Sequence, residues 1–138
     1  MDVLEKNSTL LIICLLIAAF CLFAFSCAKQ EQSPSTAKYT DITIEEAKEK
    51  IEAGNVILVD VRTQEEYNEK HIDGAILIPN ETITDTQPAE LPDKDADILV
   101  YCRSGKRSSE AAKKLADMGY TNVYNMLGGI NEWPYETK

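Results

Sequence analysis

The chain has few of the residues on which catalytic centres are usually built. It holds one histidine, His71, in 138 residues, and four cysteines. Cys14 and Cys21 lie in an apolar run and Cys27 ends it, which leaves Cys102 alone in the remainder. No disulfide can form within that remainder. With neither zinc-ligand spacing nor a Cys-x-x-Cys pair, no metal site and no dithiol mechanism are expected, and no cofactor is called for. Basic residues are outnumbered, 14 Lys and Arg against 23 Asp and Glu, for a net charge of −9. Such a surface repels a phosphate backbone, so no nucleic-acid partner is expected, and the acidity reads as solubility.

Charge is missing altogether from Leu10 to Phe25. This run is longer than a typical secretory core of about 7 to 15 residues and shorter than a membrane span of about 20. It ends in Ala24-Phe25-Ser26-Cys27, which resembles a bacterial lipoprotein signal, where a small residue precedes a cysteine that is lipidated and becomes the mature N-terminus. The resemblance implies a lipid on Cys27 and a place at the cell membrane, on its extracytoplasmic face or in the periplasm. An uncleaved N-terminal anchor and an ordinary cleaved signal are the alternatives. Residues 1–26 are thus read as a signal peptide or membrane segment, 27–38 as a polar tether without apolar periodicity, and 39–138 as one domain, long enough for a hydrophobic core.

Within that domain, strands and helices alternate. Thr43 with Glu46 has the form of a capping box, and Ile44, Ala47 and Ile51 then share one face before Gly54, which predicts a helix over 44–53. Val56-Ile57-Leu58-Val59 reads as a strand buried on both faces. A second capping pattern, Thr63 with Glu66, opens a short helix to about Lys70, and His71-Ile72-Asp73-Gly74 turns into a strand over 75–78 stopped by Pro79. Asn80 to Pro92 reads as a loop with a short helix. Further strands are expected at 98–101 and 123–126, with a helix from Glu110 to Met118 between them and a close-approach turn at Gly128-Gly129. Trp133 is assigned to the core. Such alternation predicts an α/β fold, a central parallel sheet with helices on both faces.

The apolar run Ile98 to Tyr101 leads into Cys102, and Arg103-Ser104-Gly105-Lys106-Arg107 follows before Ser108-Ser109. Such a strand-to-helix loop folds backbone N–H groups inward as an anion cradle, and the helix N-terminus adds positive charge there. Three cations within six residues further favour a thiolate at Cys102. Arg107 follows Cys102 after four intervening residues, one fewer than in a tyrosine phosphatase loop, so the cradle is too small for a phosphate-sized centre. Asp60 and Arg62 fall at a strand's carboxyl end and read as an ion pair or cap ordering the neighbouring loops. His71 reads as structural, since a pre-formed thiolate needs no general base.

These motifs, with Val59-Asp60-Val61-Arg62, Glu66-Tyr67, His71-Ile72-Asp73-Gly74-Ala75, Ile78-Pro79, Gly119-Tyr120-Thr121-Asn122-Val123-Tyr124 and Leu127-Gly128-Gly129 with Trp133, resemble in order and spacing the rhodanese-like domain family of single-domain thiosulfate sulfurtransferases. The family pattern is departed from at Lys70, where a glycine is common. The resemblance implies a sulfurtransferase in which Cys102 takes the sulfane sulfur of thiosulfate or a persulfide and hands it to a thiol or cyanide. Arg103, Ser104, Gly105, Lys106 and Arg107 are the implied binding residues for the small sulfur-containing anion, with Arg107 serving either the substrate or the shape of the loop. A persulfide carrier loaded by a partner protein, with little turnover of its own, is the alternative.

Overall fold

The computed structural model describes residues 38–138. The expectations for residues 1–37, Cys27 among them, lie outside the described residues. Five strands and three helices alternate there: β1 (Thr40–Ile42), α1 (Ile44–Ala53), β2 (Val56–Asp60), α2 (Gln64–Glu69), β3 (Ile76–Leu77), β4 (Asp97–Tyr101), α3 (Lys106–Asp117) and β5 (Asn122–Met126). Short 3-10 turns stand at Asn80–Thr82 and Gly129–Glu132. The strands form one sheet in the order β1-β5-β4-β2-β3, with every pairing parallel. Among the described residues no helix is long and apolar enough to cross a membrane.

Both expected capping boxes are formed. The Thr43 hydroxyl accepts from the Glu46 N–H while the Glu46 carboxylate accepts from the Thr43 N–H, and Thr63 and Glu66 repeat the arrangement at α2. Each box supplies two backbone donors with partners that the helix itself cannot offer. Gly54 closes α1 in the left-handed conformation.

The central strands alternate their side chains between two cores, as a pleated strand must. Ile98 and Val100 of β4, with Val59 and Val61, pack under Ala111, Ala112 and Leu115 of α3. Leu99 and Tyr101 point the other way, joining Leu58 with Ile44 and Ala47 from the α1 side. Cys102 keeps the parity of Ile98 and Val100, so it belongs to the α3 core. The whole cysteine loop thereby leaves the carboxyl edge of a central strand, where open α/β sheets place their ligands.

Several boundaries differ from the sequence expectation. The helix expected from Glu110 begins at Lys106, because the Gly105 carbonyl already accepts the N–H of Ser109 and Gly105 serves as N-cap. β1 was not expected; it exists by pairing Thr40, Asp41 and Ile42 with Tyr124, Asn125 and Met126. The strand expected over 75–78 pairs only at Ile76–Leu77. Trp133 is half-buried at the rim of the α1-side core instead of inside it.

Candidate active site

Cys102 is the first residue beyond β4 and 1% exposed. Four residues, Cys102 to Gly105, make the connection, and the carbonyls of the first two are engaged from below. The N–H of Ile130 donates to the Cys102 carbonyl at 2.9 Å and that of Asn131 to the Arg103 carbonyl at 3.1 Å. With those carbonyls turned to the Gly129–Glu132 turn, the loop's N–H groups are free to face the sulfur. Gly129 makes this possible, since a Cβ there would come within 2.5 Å of the Cys102 and Arg103 carbonyl oxygens. Its φ of +60° is also one that side chains resist. The close-approach role expected for Gly128-Gly129 is thus placed at the floor of the cysteine loop.

The Cys102 Sγ accepts from the Gly105 N–H at 3.1 Å and lies 3.4 Å from the Ser108 hydroxyl. Burial disfavours the thiolate and is the largest single influence on it. The Ser108 hydroxyl and the N–H groups of Ser108, Ser104 and Gly105 together outweigh it, so the thiol sits below its ordinary value. The thiolate is therefore more accessible than that of an ordinary cysteine, and its charge is met by a ring of donors.

The expected binding residues divide. Ser104 and Gly105 turn their N–H groups to the sulfur, with Gly105 at φ +101° opening α3. Arg103 and Lys106 are exposed on the rim. Arg107 is held by Glu66, Nη1 and Nη2 each 2.8 Å from a carboxylate oxygen, which assigns its guanidinium to fixing loop and helix. Arg107 in turn holds the Glu66 carboxyl at about 2, well under the usual carboxylate range. This contribution to stability is complete above about pH 4.5, the unfolded value, and is lost as pH falls toward 2.

Sequence reasoning did not single out Ser108 or the partnership of Glu66 with Arg107. Ser108 is fully buried because α3 begins a turn earlier than its apolar pattern suggests. The Glu66–Arg107 pair spans 41 positions, and no local pattern signals it.

On the opposite face of the sheet, Asp60 and Arg62 form the expected ion pair. Arg62 Nε and Nη2 donate to the Asp60 carboxylate at 2.6–3.1 Å, and Nη2 also donates to the Lys70 carbonyl at 2.7 Å. Tyr101, beside Asp60 in register, donates its hydroxyl to Asp60 at 2.8 Å and accepts from the Ile72 N–H at 3.0 Å. Burial, and then the Asp60 charge, raise the Tyr101 phenol and keep it a donor. His71 stacks on Tyr67 with ring centroids 3.8 Å apart, and its Nδ1 donates to the Tyr67 carbonyl at 2.8 Å. The ion pair ties β2 to the Lys70 carbonyl, and His71 packs on the end of α2.

A parallel α/β sheet, a cysteine at the carboxyl edge of a central strand and a donor-lined strand-to-helix loop define a class of α/β domains built around a single loop cysteine. The profile of the rhodanese-like domain matches residues 43–136, and the chain belongs to that family. It is 39% identical over 74 residues to the thiosulfate sulfurtransferase PspE of Escherichia coli, covering 54% of this chain and 70% of PspE. Against the thiosulfate sulfurtransferase GlpE of Coxiella burnetii it is 33% identical over 95 residues, 69% of this chain and 87% of GlpE. The crystal structure of the BH2092 protein of Bacillus halodurans superposes with a TM-score of 0.64 at 31% identity, covering 72% of this chain and 76% of that one.

Proposed function

We propose that the protein is a thiosulfate sulfurtransferase working through a persulfide on Cys102. The observation that carries this reading is the buried Sγ, ringed by the N–H groups of Ser104, Gly105 and Ser108 and the Ser108 hydroxyl. As thiolate, Cys102 attacks the outer sulfur of thiosulfate; the new Sγ–S bond forms as the S–S bond to the sulfonate sulfur breaks, and sulfite leaves with that electron pair. The loop donors then solvate the charge on the persulfide, while Arg103 and Lys106 on the rim attract the incoming dianion. A thiol or cyanide attacks the outer sulfur, and the electron pair of the Sγ–S bond returns to Cys102.

Intact mass after incubation with thiosulfate tests the assignment: one sulfur atom should be gained by the natural chain and none by Cys102→Ser, which should also lose thiosulfate:cyanide transfer. Activity retained in Cys102→Ser would overturn it. Multiple turnovers with thiosulfate and cyanide, against a single loading and discharge, separate the enzyme from a carrier fed by a partner protein.

We further propose that Cys27 is the lipidated N-terminus, holding the domain at the extracytoplasmic face of a cell membrane. Support comes from the uncharged run Leu10 to Phe25 ending in Ser26-Cys27 and the polar residues that follow. A diacyl anchor at about 0.8 kcal/mol per buried CH₂ is enough for stable attachment. Fatty-acid labelling of the natural chain and of Cys27→Ala tests it; absence of label, with residues 10–25 retained in the membrane-bound protein, would favour the uncleaved anchor.

A further inference from the structure

Glu66 serves two elements at once. As the third residue of α2 it completes the capping box, its Oε2 accepting the Thr63 N–H at 3.1 Å. The same Oε2 accepts from Arg107 Nη1, and Oε1 from Nη2, each at 2.8 Å. A glutamine closes a capping box as well as a glutamate does, so the cap does not account for a charge at this position. Arg107 does. It is the second residue of α3 and directly precedes Ser108, whose N–H and hydroxyl both favour the Cys102 thiolate. Among the described residues, three anions act on its guanidinium. Hydrogen bonding to Glu66 raises it most, against burial, and the charges of Glu66, Cys102 and Glu81 raise it further. Glu66 in turn faces Arg107 and, more weakly, Arg62, which is committed to Asp60. The sulfur is left among neutral donors. Against burial, the foremost influences on it are the Ser108 hydroxyl and the N–H groups of Ser108, Ser104 and Gly105, while Arg103 and Lys106 stand exposed on the rim.

We propose that Glu66 is a positioning residue for Cys102: by pairing with Arg107 it holds that cation's charge away from the sulfur, so that the loop stabilises one negative charge on Sγ without gathering further anions. The inference rests on the reading of Cys102 as the nucleophile. In that reaction one anion, thiosulfate, must enter and another, sulfite, must leave. A guanidinium without its carboxylate, one residue from Ser108, would attract both alike. Oriented N–H and O–H groups act on the sulfur they point at and fall off steeply beyond it, which suits a site that has to let its product go.

The full chain and its Glu66→Gln, Glu66→Asp and Arg107→Gln variants are alkylated across pH with neutral iodoacetamide and with anionic iodoacetate, and modification of Cys102 is read by peptide mass. The ratio of the iodoacetate to the iodoacetamide rate constant reports the charge that an incoming anion meets, and it cancels changes in the reactivity or exposure of the thiol. Glu66→Gln removes the charge and keeps the cap. Its ratio should rise about threefold to fivefold and its alkylation midpoint should fall by about half a pH unit, both effects shrinking with added salt. Glu66→Asp, which restores the charge, should return toward the natural ratio, and Arg107→Gln should fall below it. An unchanged ratio in Glu66→Gln overturns the inference. So does a raised midpoint, which would make Glu66 a clamp on the loop and nothing more. If Glu66→Gln loses its melting transition, Arg107→Gln decides, and a ratio no lower than the natural one overturns the inference. Alkylation needs no sulfur donor, so failure of the nucleophile reading is seen separately, as a chain that gains no sulfur from thiosulfate.

Discussion

Ser108 carries one hydroxyl hydrogen between two acceptors, the Cys102 Sγ at 3.4 Å and the Gly105 carbonyl at 3.1 Å. The Gly105 carbonyl also accepts the Ser109 N–H at 3.1 Å, so it stays satisfied when the hydroxyl turns away. The hydrogen is therefore free to follow the charge: toward Gly105 when the sulfur is neutral, toward Sγ when it is a thiolate. Ser108→Ala should raise the thiol, since the depressed value depends on donors to the anion. A hydrogen bond to a charged group is worth about 1.5–3 kcal/mol, which predicts an upward move of about one to two pH units in the midpoint of Cys102 alkylation. Because thiolate is the reactive form, alkylation and sulfur transfer at a pH below that midpoint should slow together. An unshifted midpoint would show that the backbone N–H groups suffice.

At the level of elements, the loop is held between α3 above and the Gly129–Glu132 turn below. Gly129→Ala should force the two backbones apart, because its new Cβ would meet carbonyl oxygens that cannot swing aside as a side chain does. A loss of about 2–3 kcal/mol in stability and at least a tenfold loss of sulfur transfer are expected, read by denaturant unfolding and steady-state kinetics. Gly54→Ala provides the contrast. It shares a positive φ but has open space around it, so about 1 kcal/mol and unchanged transfer are expected.

These elements also mark what the sequence makes legible. Capping boxes at Thr43 and Thr63 and the left-handed Gly54 are local devices, written in residues three or four apart, and they were readable. Apolar runs such as Val56 to Val59 were readable for the same reason. β1 was not, because Tyr39-Thr40-Asp41-Ile42 carries no strand pattern of its own and becomes a strand only beside β5. The start of α3 was misplaced because Lys106-Arg107-Ser108-Ser109 shows no apolar face, while its burial falls on a serine. Cys102 and its loop were legible as chemistry, whereas the Glu66 grip on Arg107 depends on chain segments that meet only in the fold.

Across the whole molecule, stability leans on the buried Asp60, Arg62 and Tyr101 network, which joins β2 and β4 to the segment before β3. Arg62 is 3% exposed, and Asp60 and Tyr101 are fully buried. Asp60→Ala would strand a guanidinium and a phenol without their common acceptor. About 3–5 kcal/mol of destabilisation is expected in denaturant unfolding, against less than about 1 kcal/mol for loss of the exposed Lys113–Asp117 pair. Destabilisation by Asp60→Ala no greater than by the exposed pair would mean that the network is not what fastens the sheet to its loops.

The placement of β1 has a consequence for the order in which the chain acquires its shape. Asp41 and Asn125, whose side chains meet at 2.7 Å across β1 and β5, are 84 positions apart. On the ribosome, the residues of β1 emerge first among those described but have no partner until β5 has left the exit tunnel, several seconds later at about 5–20 residues per second. Until then they wait as unpaired backbone, while β2, β3 and β4 are available to each other sooner. Pulse-labelled amide exchange during refolding should accordingly find β1 the last strand protected, so the first of the described strands is the one that closes the sheet.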